Sequence, residues 1–199
     1  MKSCAGVQVS EGGGALTRRR FLLGAAALAA SASIAPARAT TLVDVERQGD
    51  EVHVEAHAEV DAALAQTWST LADYDRLAEF IPDMLSSRTL TRTGATAVIE
   101  QKAQATFGPF HRRFRLVLAV EEAAGESIRA VAVDGDFRRF DARYDLVAID
   151  VRRTRIDYRA ALQPSAGVPP LIGVAVMRSL IRRQFEAMLG EIGRRAAVT

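Results

Sequence analysis

The stretch from Pro169 to Ala197 constrains this chain most. Apolar residues recur there at Val174, Met177, Ile181, Phe185, Met188 and Ile192, in steps of three or four, which lays one stripe along a helix. Pro169-Pro170 suits its first turn, where amide hydrogens have no intrahelical acceptor. Arg178, Arg182, Arg183, Glu186, Arg194 and Arg195 fall mostly off the stripe. A helix of this length with a single apolar face needs a broad apolar surface to cover it.

The other end of the chain carries a different signal. Thr17-Arg18-Arg19-Arg20-Phe21-Leu22 has paired arginines before Phe-Leu, a mild Ala/Gly-rich run extends from Phe21 to Ile34, and Ala37-Arg38-Ala39 is a small-x-small site. That order predicts a twin-arginine export signal over residues 1–39, removed to leave a domain over 40–199 in the periplasm or outside the cell. The run is too short and too weakly apolar to span a bilayer stably. Loss of Lys2, Arg18, Arg19, Arg20, Arg38 and Glu11 takes the chain from 26 basic and 24 acidic residues to 21 and 23. The basic balance therefore belongs to the leader, and no nucleic-acid partner is expected. Cys4, the one cysteine, leaves with it, so the mature domain has no disulfide, thiol nucleophile or cysteine metal ligand.

The mature chain begins with a strand. Glu51–Val60 alternates Val52, Val54, Ala56, Ala58 and Val60 against Glu51, His53, Glu55, His57 and Glu59. Asp61 is placed to cap a helix running through Ala63, Leu64, Trp68 and Leu71, and a second short helix covers Arg76–Phe80, stopped at Ile81-Pro82. Six strands follow between Met84 and Gln163, with turns at Gly94, Gly108-Pro109, Gly125 and Asp134-Gly135, and the last two strands cover Asp136–Ile149 and Thr154–Leu162. The expected architecture is α+β: a seven-stranded antiparallel sheet, two short helices between its first and second strands, and the long C-terminal helix filling its concave face.

That order resembles the START/polyketide-cyclase superfamily and its helix-grip fold. Asp73-Tyr74-Asp75-Arg76-Leu77-Ala78-Glu79-Phe80-Ile81-Pro82 is similar to its D-Y-x-x-x-x-x-F-x-P signature. The run from Asp134 to Tyr144 is similar to the G-x-F segment of its coenzyme-Q-binding branch. The resemblance covers residues 50–197 and implies a ligand cavity between sheet and helix. An export signal departs from that branch, which is typically intracellular or mitochondrial.

Strand parity names the side chains turned toward the helix. They are Gln101, Ala103 and Phe107; Phe110, Arg112 and Phe114; Phe140, Ala142 and Tyr144; and Tyr158 and Ala160, facing Val174, Met177, Ile181 and Phe185. Each also suits a plain core. The case for a cavity is the alanines, Ala103, Ala105, Ala142, Ala148 and Ala160, where Val or Ile would normally fill space. Gln101, Arg112, Tyr144 and Tyr158 would supply its polar groups. His53 and His57 share a face but lie roughly 13 Å apart along an extended strand, too far to hold one ion; they read as a solvated face, and His111 as surface. No metal or other cofactor is expected.

The resulting expectation is an exported binder or carrier of an apolar small molecule: a lipid, a quinone or a polyketide-like compound. The alternative is a cyclase-, aromatase- or dehydratase-like enzyme using the same cavity. The inward faces offer no histidine or carboxylate as acid or base, which favours the binder. The arginine clusters Arg112-Arg113-Arg115, Arg138-Arg139 and Arg152-Arg153-Arg155 are expected to pair with acids across strands, or to touch an anionic membrane surface transiently. Nothing in the pattern sets an oligomeric state.

Overall fold

The computed structural model describes residues 41–107, 110–165 and 174–198, all within the compact unit Pro36–Thr199. The expected leader lies outside them, as do Gly108-Pro109, Gly167 and Pro169-Pro170.

Eight strands form one antiparallel sheet: β1 Leu42–Gln48, β2 Glu51–Val60, β3 Met84–Thr93, β4 Thr96–Phe107, β5 Phe110–Ala123, β6 Ser127–Gly135, β7 Phe137–Asp150 and β8 Arg153–Pro164. Their order is β1-β2-β8-β7-β6-β5-β4-β3. Between β2 and β3 lie α1 (Leu64–Leu71), a 3-10 turn (Tyr74–Arg76) and α2 (Leu77–Phe80); α3, Val174–Ala196, closes the chain. The fold is thus the expected helix grip with one strand more than the seven predicted. The extra strand, β1, buries Val43 and Val45 and joins β2 through Gly49-Asp50, with Gly49 at φ 62° as the first central residue of a two-residue hairpin loop.

Other boundaries also needed correction. Asp61 does not cap α1, which starts after Ala63 with no side-chain cap. The Pro82-Asp83 pair forms a turn in which Met84 N–H donates to the Ile81 carbonyl (3.3 Å), with Asp83 at φ 65°. Asp134-Gly135 is not a tight hairpin. β6 and β7 pair only over Ser127–Val131 and Asp141–Asp145; beyond that β6 stays with β5 and β7 with β8. Gly135 is needed there because it stands at φ 121° and a Cβ on it would lie 2.2 Å from the Arg115 carbonyl oxygen.

The core is asymmetric along α3. Phe185, Met188, Leu189 and Ile192 in its C-terminal half are buried with Ala56, Ala58, Val60, Leu71, Leu146 and Ile156. Val174, Met177 and Ile181 in its N-terminal half are only half-buried. One end of the grip is closed by packing, and the other leaves large apolar side chains partly uncovered.

Candidate functional site

The inner face of the sheet can be read row by row, since directly paired residues of an antiparallel sheet share a face. One row runs Val54, Ala160, Ala142, Ala130, Val120 across β2, β8, β7, β6 and β5. Three alanines on adjacent strands form its middle. Beside it runs Ala56, Tyr158, Tyr144, Ile128. The two tyrosine rings lie 4.5 Å apart between centroids, and Tyr158 reaches Phe185 of α3 at 6.2 Å. Sheet and helix therefore meet through aromatic rings above an alanine floor.

Burial raises the Tyr144 hydroxyl pKa to about 12, and burial with Tyr144 alongside raises that of Tyr158 further. Both side chains nevertheless keep part of their surface open. Each phenol is held protonated at neutral pH, which makes it a hydrogen-bond donor and unsuits it as a base.

A second aromatic group bridges the place where β6 and β7 part. Phe137 packs edge-on against Phe114 (5.6 Å) and Phe140 (6.1 Å). Sequence parity supplied Phe114 and Phe140 but not Phe137; the G-x-F segment carried the signal. Ala130 and Ala132 were also missed, both half-buried on the inner face.

The expected residues divide into three groups. Ala103, Ala142, Ala160 and Phe185 are buried; Ala142 and Ala160 are register partners. Gln101, Arg112, Phe114, Phe140, Tyr144, Tyr158, Val174, Met177 and Ile181 are half-buried. Phe107 and Phe110 pair at the β4–β5 turn, and their side chains lie outside the described ones. Ala148 has left the set: it is exposed near the end of β7, beyond the last buried residue of that strand.

The outer face carries the charges. His57 Nδ1 lies 2.7 Å from Asp157 Oδ1, His53 is paired with Glu51, and His111 bonds Thr106. Arg115, Arg139, Arg153 and Arg155 each meet an acid. Among the described residues no three His, Cys, Asp or Glu side chains are placed to hold a metal ion, and no helix is long and apolar enough to cross a membrane.

One buried carboxylate was missed. Glu191 of α3 is buried and bound by Arg194 (2.7 Å) and Arg195 (2.6 Å). Hydrogen bonds from Arg194, opposed by burial and reinforced by Arg195, hold its pKa at about 2. Arg195, expected off the stripe, is largely buried; it also reaches Asp73 (2.8 Å) and stacks over the Phe80 ring. Tyr74 donates to Glu122 (2.7 Å) under the Arg92 guanidinium, and burial followed by that carboxylate raises its pKa. Of the signature residues, Asp73 and Phe80 thus anchor the closed end of α3, and Tyr74 ties the 3-10 turn to the sheet.

The comparisons with known proteins agree with this architecture. The chain is similar in structure to a START superfamily protein from Mycobacterium smegmatis, at 17% identity and a TM-score of 0.59, covering 74% of this chain and 99% of that one. A STAR-related lipid transfer protein from Xanthomonas axonopodis matches at 15% identity and a TM-score of 0.57, covering 75% and 98%. The ZhuI aromatase/cyclase of a Streptomyces species matches at 17% and 0.57, covering 73% and 95%. No curated protein matches the sequence. Residues 60–189 match the profile described as "Polyketide cyclase / dehydrase and lipid transport". Sheet, grip helix and sequence profile together make this chain a member of the polyketide cyclase/dehydrase and lipid transport family.

Proposed function

We propose that this chain is an exported carrier of an apolar small molecule, a lipid, quinone or polyketide-like compound, held between the sheet and the N-terminal half of α3. The observation that carries the reading is the half-buried inner face. Phe114, Phe140, Tyr144, Tyr158, Met177 and Ile181 all turn toward the grip yet keep accessible surface, while the far end of the same grip is closed. Apolar side chains around a concave space, with a few polar groups among them, are the composition of a site for an apolar ligand.

Carriage ranks above catalysis because of the tyrosines. Phenols held protonated orient a carbonyl rather than remove a proton. A cyclase-like enzyme is the second reading, favoured by the same pair as donors to a ketone and by the likeness to an aromatase/cyclase fold. The twin-arginine pattern at Arg18-Arg19 supports export and a mature start at Thr40.

Native mass spectrometry of protein recovered from the periplasm of its own host, followed by extraction, tests the reading. A mature chain beginning at Thr40 with a bound apolar molecule is expected. Protein that is repeatedly empty and binds no apolar fluorescent probe sinks the carrier.

A further inference from the structure

We propose that Ser87 of β3 and Gln101 of β4 form a carbonyl-binding subsite on the inner face, which takes the oxygen of a ketone or quinone group on an otherwise apolar ligand. The inference rests on the reading that this face encloses such a ligand.

The backbone aims Ser87 inward. β3 alternates Arg88, which reaches out to Glu100 on the outer surface (2.8 Å), with Ser87 and Thr89, which face the helices. Met84 also packs on the core, although it lies three residues from Ser87 and should by parity face outward. A bulge between Met84 and Ser86 reconciles them: one extra residue, Leu85, is turned to solvent, and both Met84 and Ser87 point inside. An irregularity that reverses one side chain in an edge strand marks a place where its direction matters.

What arrives inside is a hydroxyl with nothing to bond. Ser87 is 7% exposed, and its Oγ has no hydrogen-bond partner. Leaving such a group unpaired carries a desolvation cost that nothing within the fold offsets. Its register partner is Gln101, half-buried on the same face, whose side-chain amide makes no hydrogen bond among the described residues. The next residue of the row is Leu116, the following one Gly135, and the neighbouring row holds Met84, Ala103 and Phe114. The pair is thus an uncharged polar spot with apolar side chains beside it in its own row and in the row of Met84, while the row on its other side begins with Thr89, bonded to Asp75.

The chemistry of the pair selects its ligand group. A serine hydroxyl and a glutamine amide each donate, and a carbonyl oxygen accepts two such bonds through its two lone pairs. Ser87 and Gln101 both being uncharged, an oxygen without charge fits better than a carboxylate or phosphate.

Two matched probes test this on the mature protein: 6-propionyl-2-dimethylaminonaphthalene, and the same compound with the carbonyl reduced to methylene. The ketone is expected to bind roughly tenfold more tightly than the oxygen-free probe. In Ser87→Ala combined with Gln101→Leu that preference is expected to be lost or reversed, because the carbonyl then leaves water with no donors to replace it. Equal affinities in the unaltered protein overturn the subsite and leave the apolar carrier standing. Failure to bind either probe overturns the carrier as well. Ser87→Ala alone should keep or raise the melting temperature, because it removes an unsatisfied buried hydroxyl; a marked fall means the hydroxyl is partnered within the fold, and overturns the proposal. The infrared carbonyl stretch of the ketone bound to the unaltered protein gives a reading that needs no variant: a frequency unmoved from that in hexane rules the donors out.

Discussion

Small side chains on the inner face do two different jobs, and exposure separates them. Ala142 and Ala160 are closely covered, so a phenyl ring there must displace neighbours, whereas Ala130 and Ala132 are half-buried. Ala142→Phe is therefore expected to cost roughly 1–3 kcal/mol through overpacking. Ala130→Phe should cost less than about 1 kcal/mol, since it has room, and yet block an apolar probe. Chemical denaturation beside fluorescent-probe titration checks both, and equal stability losses would mean that the two positions face the same kind of space. Strand parity was legible in the sequence because alternation is a local property, and it placed Tyr144 and Tyr158 on one face with Ala142 and Ala160. It did not reveal which alanines are covered, nor that Leu85 is an extra residue. Those depend on what crosses overhead and on strand pairing, neither of which leaves a mark in the local pattern.

At the scale of elements, α3 is held unevenly. Its C-terminal half is fixed by Glu191 and Arg195 to Asp73 and Phe80, while its N-terminal half has Arg178 on Asp44 (2.9 Å) and Arg183 on Asp83 (3.1 Å), both arginines more exposed than Arg195. Arg195→Ala removes three partners at once from a largely buried site. It should cost about 2 kcal/mol, seen as a fall of roughly 4–8 °C in melting temperature. The same anchor has a pH signature. The Glu191 pKa is depressed from 4.5 to about 2 in the folded chain, so its contribution is fully present above the unfolded value and is lost as pH falls toward 2. Trp68, the one tryptophan, lies on α1, which packs against α3. Melting followed by its fluorescence should show stability dropping between about pH 4.5 and 2. In Glu191→Gln that slope should be shallower; an unchanged slope would assign it to other carboxylates. The long helix and seven of the eight strands were legible because each carries a strong period of its own. β1 was missed although Val43 and Val45 alternate beside the Gly49-Asp50 turn, because the strand is short and adjoins the expected leader. The anchor role of the signature was not legible at all, since Asp73 and Arg195 are brought together only by the closed fold.

For the molecule as a whole, the proposed export leader and the domain make separate predictions. Replacing Arg18 and Arg19 by lysine should retain the precursor inside the cell without altering the melting temperature of the mature domain, read by fractionation and by calorimetry. Export unaffected by that change would remove the twin-arginine reading and leave the fold and family as they are. The sheet is open, with β1 and β3 as its two edges. At one edge the Arg178 guanidinium, coming from α3, donates to the Val45 carbonyl (3.3 Å); at the other, Asp75 from the 3-10 turn accepts from the Thr89 N–H. An unpaired strand edge is a template for another chain. Here helical residues already occupy a bonding position on each edge, so two copies meeting side by side find part of the ladder taken. Loss of the single bond from Arg178 would therefore return the Val45 carbonyl to the open β1 edge, so the seating of α3 also decides how much of that edge another chain can read.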